Sequence, residues 1–144
     1  MILRSPVCQA PRRASAAVEM AVVLTFILAP TIYGIIEMSR AIQVKEFLTG
    51  TARSAGSVAI KTGSDNAAVT ANIISSLTAY GIKPALATTT IKVNGAVADV
   101  KTAVGGDKIS IEIAVPAAQV NWVLPMFLSN SSVESETLIM MRQG

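Results

Sequence analysis

Residues 14–36 read ASAAVEMAVVLTFILAPTIYGII, a run whose only charge is Glu19. A helix of this length, rising about 1.5 Å per residue, covers about 34 Å, enough to cross a hydrocarbon core about 30 Å thick. A cleaved secretory signal has a shorter apolar stretch, roughly 7 to 15 residues, closed by a small-residue cleavage site. Here the chain continues into MSRAIQVKEFLTGTARSAGSVAI with no such site. The run therefore reads as a helix that stays with the protein, transmembrane over 15–36 and helical to about Ile60. Pro30 removes one backbone donor inside the span, which favours a bend within one helix; a break between two short segments is the alternative.

The chain has 144 residues, 51% hydrophobic and 15% charged, far too apolar to stay disordered. It has no histidine and one cysteine, Cys8, which excludes Ser-His-Asp and Cys-His catalysis, a Cys/His zinc site and an internal disulfide. The net charge of +3 comes from Arg4, Arg12 and Arg13, since the chain from Ser15 onward balances nine basic against nine acidic residues. A nucleic-acid interface would need its cations gathered on the folded part, so no nucleic-acid partner is expected. Arginines ahead of an apolar span place the N-terminus in the cytoplasm and everything beyond about residue 37 outside it. Cys8 then sits in the reducing compartment as an idle thiol.

Glu19 carries the most chemistry. A charged residue at the centre of a membrane helix costs about 3 kcal/mol on insertion scales, and less near an interface. Arg12 and Arg13 lie two turns upstream and are poor partners. A cut between Ala14 and Ser15 would create an α-amine at Ser15, largely cationic below about pH 7.7. Glu19 would then be the fifth residue, able to neutralise its own amine or a neighbouring subunit's at a helix N-terminus. The plainer reading is a glutamate that snorkels to the headgroups.

The segment RRASAAVEMAVVLTFILAPTIYGIIEMSRAIQVKEFLTGTARSAGSVA, residues 12–59, resembles the N-terminal module of the TadE family, minor pilins of tight-adherence (Flp) type IV pili. The closing LIMMRQG is similar to the family's C-terminal strand. The resemblance rests on a basic leader with Arg12 and Arg13, a small residue (Ala14), and the start Ser15-Ala16-Ala17-Val18-Glu19. It is reinforced by Glu37, Arg40 and Thr51-Ala52-Arg53. It implies that a membrane-embedded aspartic prepilin peptidase cuts between Ala14 and Ser15, and that Glu19 docks subunits. Two positions depart from the pattern. Ala14 stands where glycine is usual, yet is small enough for a tight protease pocket, and Met20 replaces an aromatic residue.

Beyond the span, Ala41, Val44, Leu48, Ala52, Ala55 and Ala59 recur at helical spacing and form a narrow face of small side chains. That face packs on the protein's own globular part or on adjacent helices of a filament. Thr62-Gly63-Ser64-Asp65 breaks the pattern, with Ser64 or Asp65 as N-cap of a second helix from about Asn66 to Ala79. Its expected buried side is Val69, Ile73, Ile74 and Leu77, with Gly81 after its end. Thr89, Ile91 and Val93 then alternate as a strand, Asn94-Gly95 signals a hairpin, and Val97–Lys101 returns. After Gly105-Gly106-Asp107, Ile109, Ile111, Ile113 and Val115 alternate up to Pro116, which lacks a ladder donor. Ala117–Leu128, with Trp122, Pro125 and Phe127, reads as a hydrophobic loop or short helix, a lid over the sheet or a contact patch. A last strand from about Val133 to Arg142 completes a small antiparallel sheet of three or four strands.

The expected fold is α+β: leader 1–14, long helix 15–60 and exported head 61–144. The acids Asp99, Asp107, Glu112, Glu134 and Glu136 lack the spacing of a calcium loop or an acid-base pair, and Asn130-Ser131-Ser132 is a turn rather than a glycosylation acceptor. No catalytic residue, cofactor or metal is expected. The expected function is a minor pilin-like structural subunit in the inner membrane, single-pass and N-terminus inside, serving surface adhesion and biofilm formation. Its partners would be other pilin and pseudopilin subunits, the prepilin peptidase, the inner-membrane pilus assembly machinery and membrane lipid. The rivals are a single-pass accessory or receptor-like protein whose head binds a partner, and a secreted effector released by ordinary signal peptidase.

Overall fold

The computed structural model describes residues 10–120 and 131–143, and the chain divides into two compact units, one through Ile36 and one from Glu37. The described part of the first unit is helix. Helix α1 spans Ala10–Ala59, and Pro30 lies inside it without ending it. Proline removes one rung of the helical ladder, while the hydroxyls of Thr25 and Thr31 donate to the carbonyls of Ala21 and Ile27, each at 2.8 Å. Of the two readings of Pro30, one helix therefore holds. Its start precedes the expected Ser15 because Pro11, in the first turn, gives up only a donor that has no intrahelical partner there.

In the second unit, α1 from Glu37 onward packs with helix α2 (Asn66–Tyr80) against one face of an antiparallel sheet. The strands are β1 (Thr88–Val93), β2 (Ala96–Val97), β3 (Lys108–Pro116), β4 (Ser132–Glu134) and β5 (Leu138–Met141). Their order is β2-β1-β3-β4, with β5 also paired to β3. The architecture is α+β, as the alternation of periods predicts.

The narrow face of α1 is the core. Val44, Leu48, Ala52, Ala55 and Ala59 are buried, and Ala41 is partly so. Of the two packing partners open to that face, it takes the protein's own sheet and helix. Small side chains let the sheet come close: a Cβ added at Gly56 would lie 2.8 Å from Leu138 Cδ2 and 2.9 Å from Met140 Sδ. On the sheet, Ile109, Ile111, Ile113 and Val115 are all buried while their neighbours are not, the period-two pattern of a half-covered strand. On α2, Val69, Ile73 and Leu77 are buried. Ile74, expected on that side, is 45% exposed because the stripe is only three residues wide and Ile74 lies past its edge.

Caps and a turn fix element boundaries within the second unit. Asp65 is the N-cap of α2, its side chain accepting from the Ala68 N–H at 2.8 Å. Gly81 closes the helix at φ 84°, in the left-handed region that favours glycine. Asn94 and Gly95, at φ 52° and 87°, form the tight turn between β1 and β2.

Two strand expectations need correction. The returning strand Val97–Lys101 is only β2, and Val100–Thr102 is a 3-10 turn. Asp99 takes the backbone away from the ladder, its Oδ1 accepting from the N–H groups of Lys101 at 2.9 Å and Asn66 at 3.2 Å. Asn66 Oδ1 in turn accepts from the Val100 N–H at 3.0 Å.

The expected last strand, Val133–Arg142, is two strands, so the sheet has five where three or four are expected. Ser135 separates β4 from β5: its N–H donates to the Ile113 carbonyl at 2.8 Å, and its Oγ accepts from the Ile113 N–H at 2.9 Å. A hydroxyl thus occupies a rung that a backbone carbonyl would fill, and the chain bulges there. In the hydrophobic segment after Pro116, Ala117–Gln119 is a 3-10 turn with Ala117 buried. Trp122, Pro125, Phe127 and Asn130 lie outside the described residues, as do Arg4 and Cys8.

Candidate functional site

The residues singled out by sequence lie at the start of α1. Arg12, Arg13, Ala14 and Ser15 are all helical in backbone, so the Ala14–Ser15 bond sits within a helical turn. Glu19 is four residues beyond Ser15, one turn further along the same face, about 6 Å in rise. Glu19 is exposed, and among the described residues no hydrogen bond or ion pair reaches its carboxylate. Around it Val18 and Met20 are each 63% exposed, and Phe26, further along, 77%. The unit through Ile36 thus presents an apolar cylinder with one carboxylate near its start. Among the described residues α1 is the one helix long and apolar enough to cross a membrane, and the qualifying window is unburied.

The downstream markers play structural parts in the second unit. Arg40 Nε donates to the Val120 carbonyl at 3.2 Å, and the guanidinium carbon lies 5.6 Å from the centre of the Tyr80 ring. That ring stacks on Phe47 with centroids 3.9 Å apart, so a cation and two aromatic side chains join α1 to the end of α2. Glu37 is partnered as well. Thr51 and Ala52 are buried and Arg53 is exposed. Beside the aromatic pair a shallow groove of about 490 Å³, lined by Gly50, Thr51, Ser54, Ser76 and Ala79 along with the two rings, runs between the helices.

The five acids considered for chemistry are spread over the head. Asp99 and Asp107 cap turns, while Glu112 and Glu134 stand on the outer face of the sheet. Glu136 faces Lys45 at 3.8 Å, both well exposed. The Asn94 amide, donating at 2.8 Å, and the Val104 N–H, also at 2.8 Å, hold the Asp107 carboxyl below its ordinary value of 3.8. Those hydrogen bonds stabilise the charged form.

One residue of consequence was not legible from the sequence. Arg142 is buried, and its Nη1 donates to the carbonyls of Ala59 at 3.2 Å and Val100 at 2.8 Å. It caps the C-terminal end of α1, where cations are favoured. Its only signal is a lone arginine closing an apolar strand.

Residues 14–57 match the family model described as TadE-like protein. This segment is TadE-like. It contains Ala14, Ser15 and Glu19, the apolar run and most of the small-residue face of α1, and it agrees with the resemblance read from the sequence. Strand β5, in the closing LIMMRQG, lies outside the matched residues. No curated protein and no solved structure matches the chain.

Proposed function

We propose that this protein is a minor pilin-like subunit of a tight-adherence pilus, a structural component rather than an enzyme. It is inserted in the inner membrane with its N-terminus in the cytoplasm, trimmed by the prepilin peptidase between Ala14 and Ser15, and drawn into or beneath a filament that mediates surface adhesion. The observation that carries this reading is the TadE-like segment with a carboxylate, Glu19, unpaired among the described residues, near the start of an exposed apolar helix. After trimming, the Ser15 ammonium of this chain or of a neighbouring pilin or pseudopilin neutralises Glu19, and α1 supplies the apolar contact. A carboxylate–ammonium pair in a low-dielectric surrounding sets register because any other register leaves a charge bare. The helical backbone at the scissile bond requires local unwinding in the peptidase, which a turn at a helix start concedes readily.

The test is the first residue of the protein purified from its native membrane. Ser15 is expected. A chain that still carries Arg12 and Arg13 overturns the proposal and leaves a single-pass protein whose head binds its partner directly.

A further inference from the structure

The outer face of the sheet, opposite the helices, separates its charges by position. The strand register puts Val97, Lys92, Ser110 and Ile139 in one row across β2, β1, β3 and β5, with Lys108 and Met141 in the next. Thr90 and Glu112 follow in the opposite direction along the strands, then Thr88, Ala114 and Glu134. One end of the face therefore carries two lysines among exposed apolar side chains: Val97 is 79% exposed, Ile139 and Met141 63% each. The other end carries two glutamates. Among the described residues none of these four charges enters an ion pair, and Glu134 accepts only a hydroxyl, from Ser132 at 2.9 Å.

We propose that this face binds the same face of a second copy of the chain, laid antiparallel so that Lys92 and Lys108 of each copy meet Glu112 and Glu134 of the other. A face with opposite charges at its two ends is complementary to itself under a two-fold rotation, the condition for an isologous contact. Val97, Ile139 and Met141 lie inside the contact and lose their exposure to water. The five strands hold 24 residues, which at about 4.8 Å across and about 3.4 Å along for each give a face of about 400 Å². A stable complex buries about 800 Å² per partner. The contact is accordingly weak and forms where copies are concentrated, as they are when anchored in one membrane. It goes beyond the proposed pilin role and requires no trimming at Ala14.

The experiment uses the full chain in neutral phosphatidylcholine vesicles, as a mixture of isotopically light and heavy copies treated with a zero-length carboxyl–amine cross-linker. Links between light and heavy peptides that join Lys92 or Lys108 to Glu112 or Glu134 are expected. The variants K92E/K108E and E112K/E134K, each shown to be folded by circular dichroism, make the face wholly acidic or wholly basic. A Cys at position 110 of each copy (Ser110→Cys in a Cys8→Ser background), which the rotation sets about 12 Å from its counterpart across the contact, reports contact in both through the yield of a thiol–thiol cross-linker about 15 Å long. Each variant alone is expected to lose at least about tenfold in thiol cross-link yield, and an equal mixture of the two to regain the wild-type yield. Absence of mixed-isotope links in the wild type, undiminished yield in either variant alone, or no recovery on mixing each overturns the proposal. So does protection of Lys92 and Lys108 by anionic vesicles without any mixed-isotope link, which assigns the lysine end to a lipid surface.

Discussion

Asp107 is a carboxylate whose charged form the head stabilises. Its Oδ1 accepts from the Asn94 amide, its Oδ2 from the Val104 N–H, and its backbone carbonyl from the Arg142 N–H at 2.8 Å. Because its folded pKa lies below the ordinary value of 3.8, the folded state binds this proton less readily than the unfolded one. The resulting stability is full above the ordinary value and is lost as pH falls through the lower, folded value. Urea unfolding of the full chain in detergent should show a steeper loss of midpoint below about pH 4 in the wild type than in Asp107→Asn. Equal slopes would mean that other carboxylates account for the acid sensitivity. Nothing in Gly105-Gly106-Asp107 announces this role, because both donors come from elsewhere in the fold or depend on a turn already formed.

Elements were legible in the sequence where one local rule governed them. The alternation in Ile109–Val115 and the Asn94-Gly95 turn each state their own outcome, while the cap of α2 narrowed to Ser64 or Asp65 and the small-residue stripe of α1 to two packing partners. What escaped was decided by partners distant in the chain. Asp99 and Asn66 exchange hydrogen bonds and cut β2 short, and Ser135 substitutes for a ladder carbonyl opposite Ile113. Arg142 belongs to the same class. Replacing Arg142 by leucine removes two charged hydrogen bonds and leaves the Ala59 and Val100 carbonyls without that donor, so the head should lose about 2 to 3 kcal/mol. Chemical denaturation with a probe in the head measures it. Arg142→Lys, which keeps the cation and one possible bond, should recover part of the loss, whereas equal stability of Arg142→Leu and wild type would reduce the residue to a packing role.

At the scale of the molecule, the two units divide the labour. The unit through Ile36 exposes apolar side chains and one carboxylate, and the unit from Glu37 buries a core of its own. Glu19→Ala should leave membrane insertion and trimming near wild type while reducing piliation by more than roughly tenfold, since a deficit of about 1.4 kcal/mol per docking event already suffices for that factor. Counting filaments and sequencing the N-terminus in the same strain separates docking from processing. Normal filament numbers in the variant would remove Glu19 from the assembly step. The candidate site was legible here because an acid in an apolar run conflicts with its surroundings whatever the fold.

The guanidinium that caps α1 reaches the Ala59 carbonyl from 83 residues further along the chain. A ribosome releases Ala59 well before Arg142, so during synthesis the helix terminus spends an interval with that carbonyl waiting. Closure of the head is thereby tied to synthesis of the chain through Arg142, and an arrest midway leaves the stripe Val44–Ala59 bare for chaperones or proteases to find.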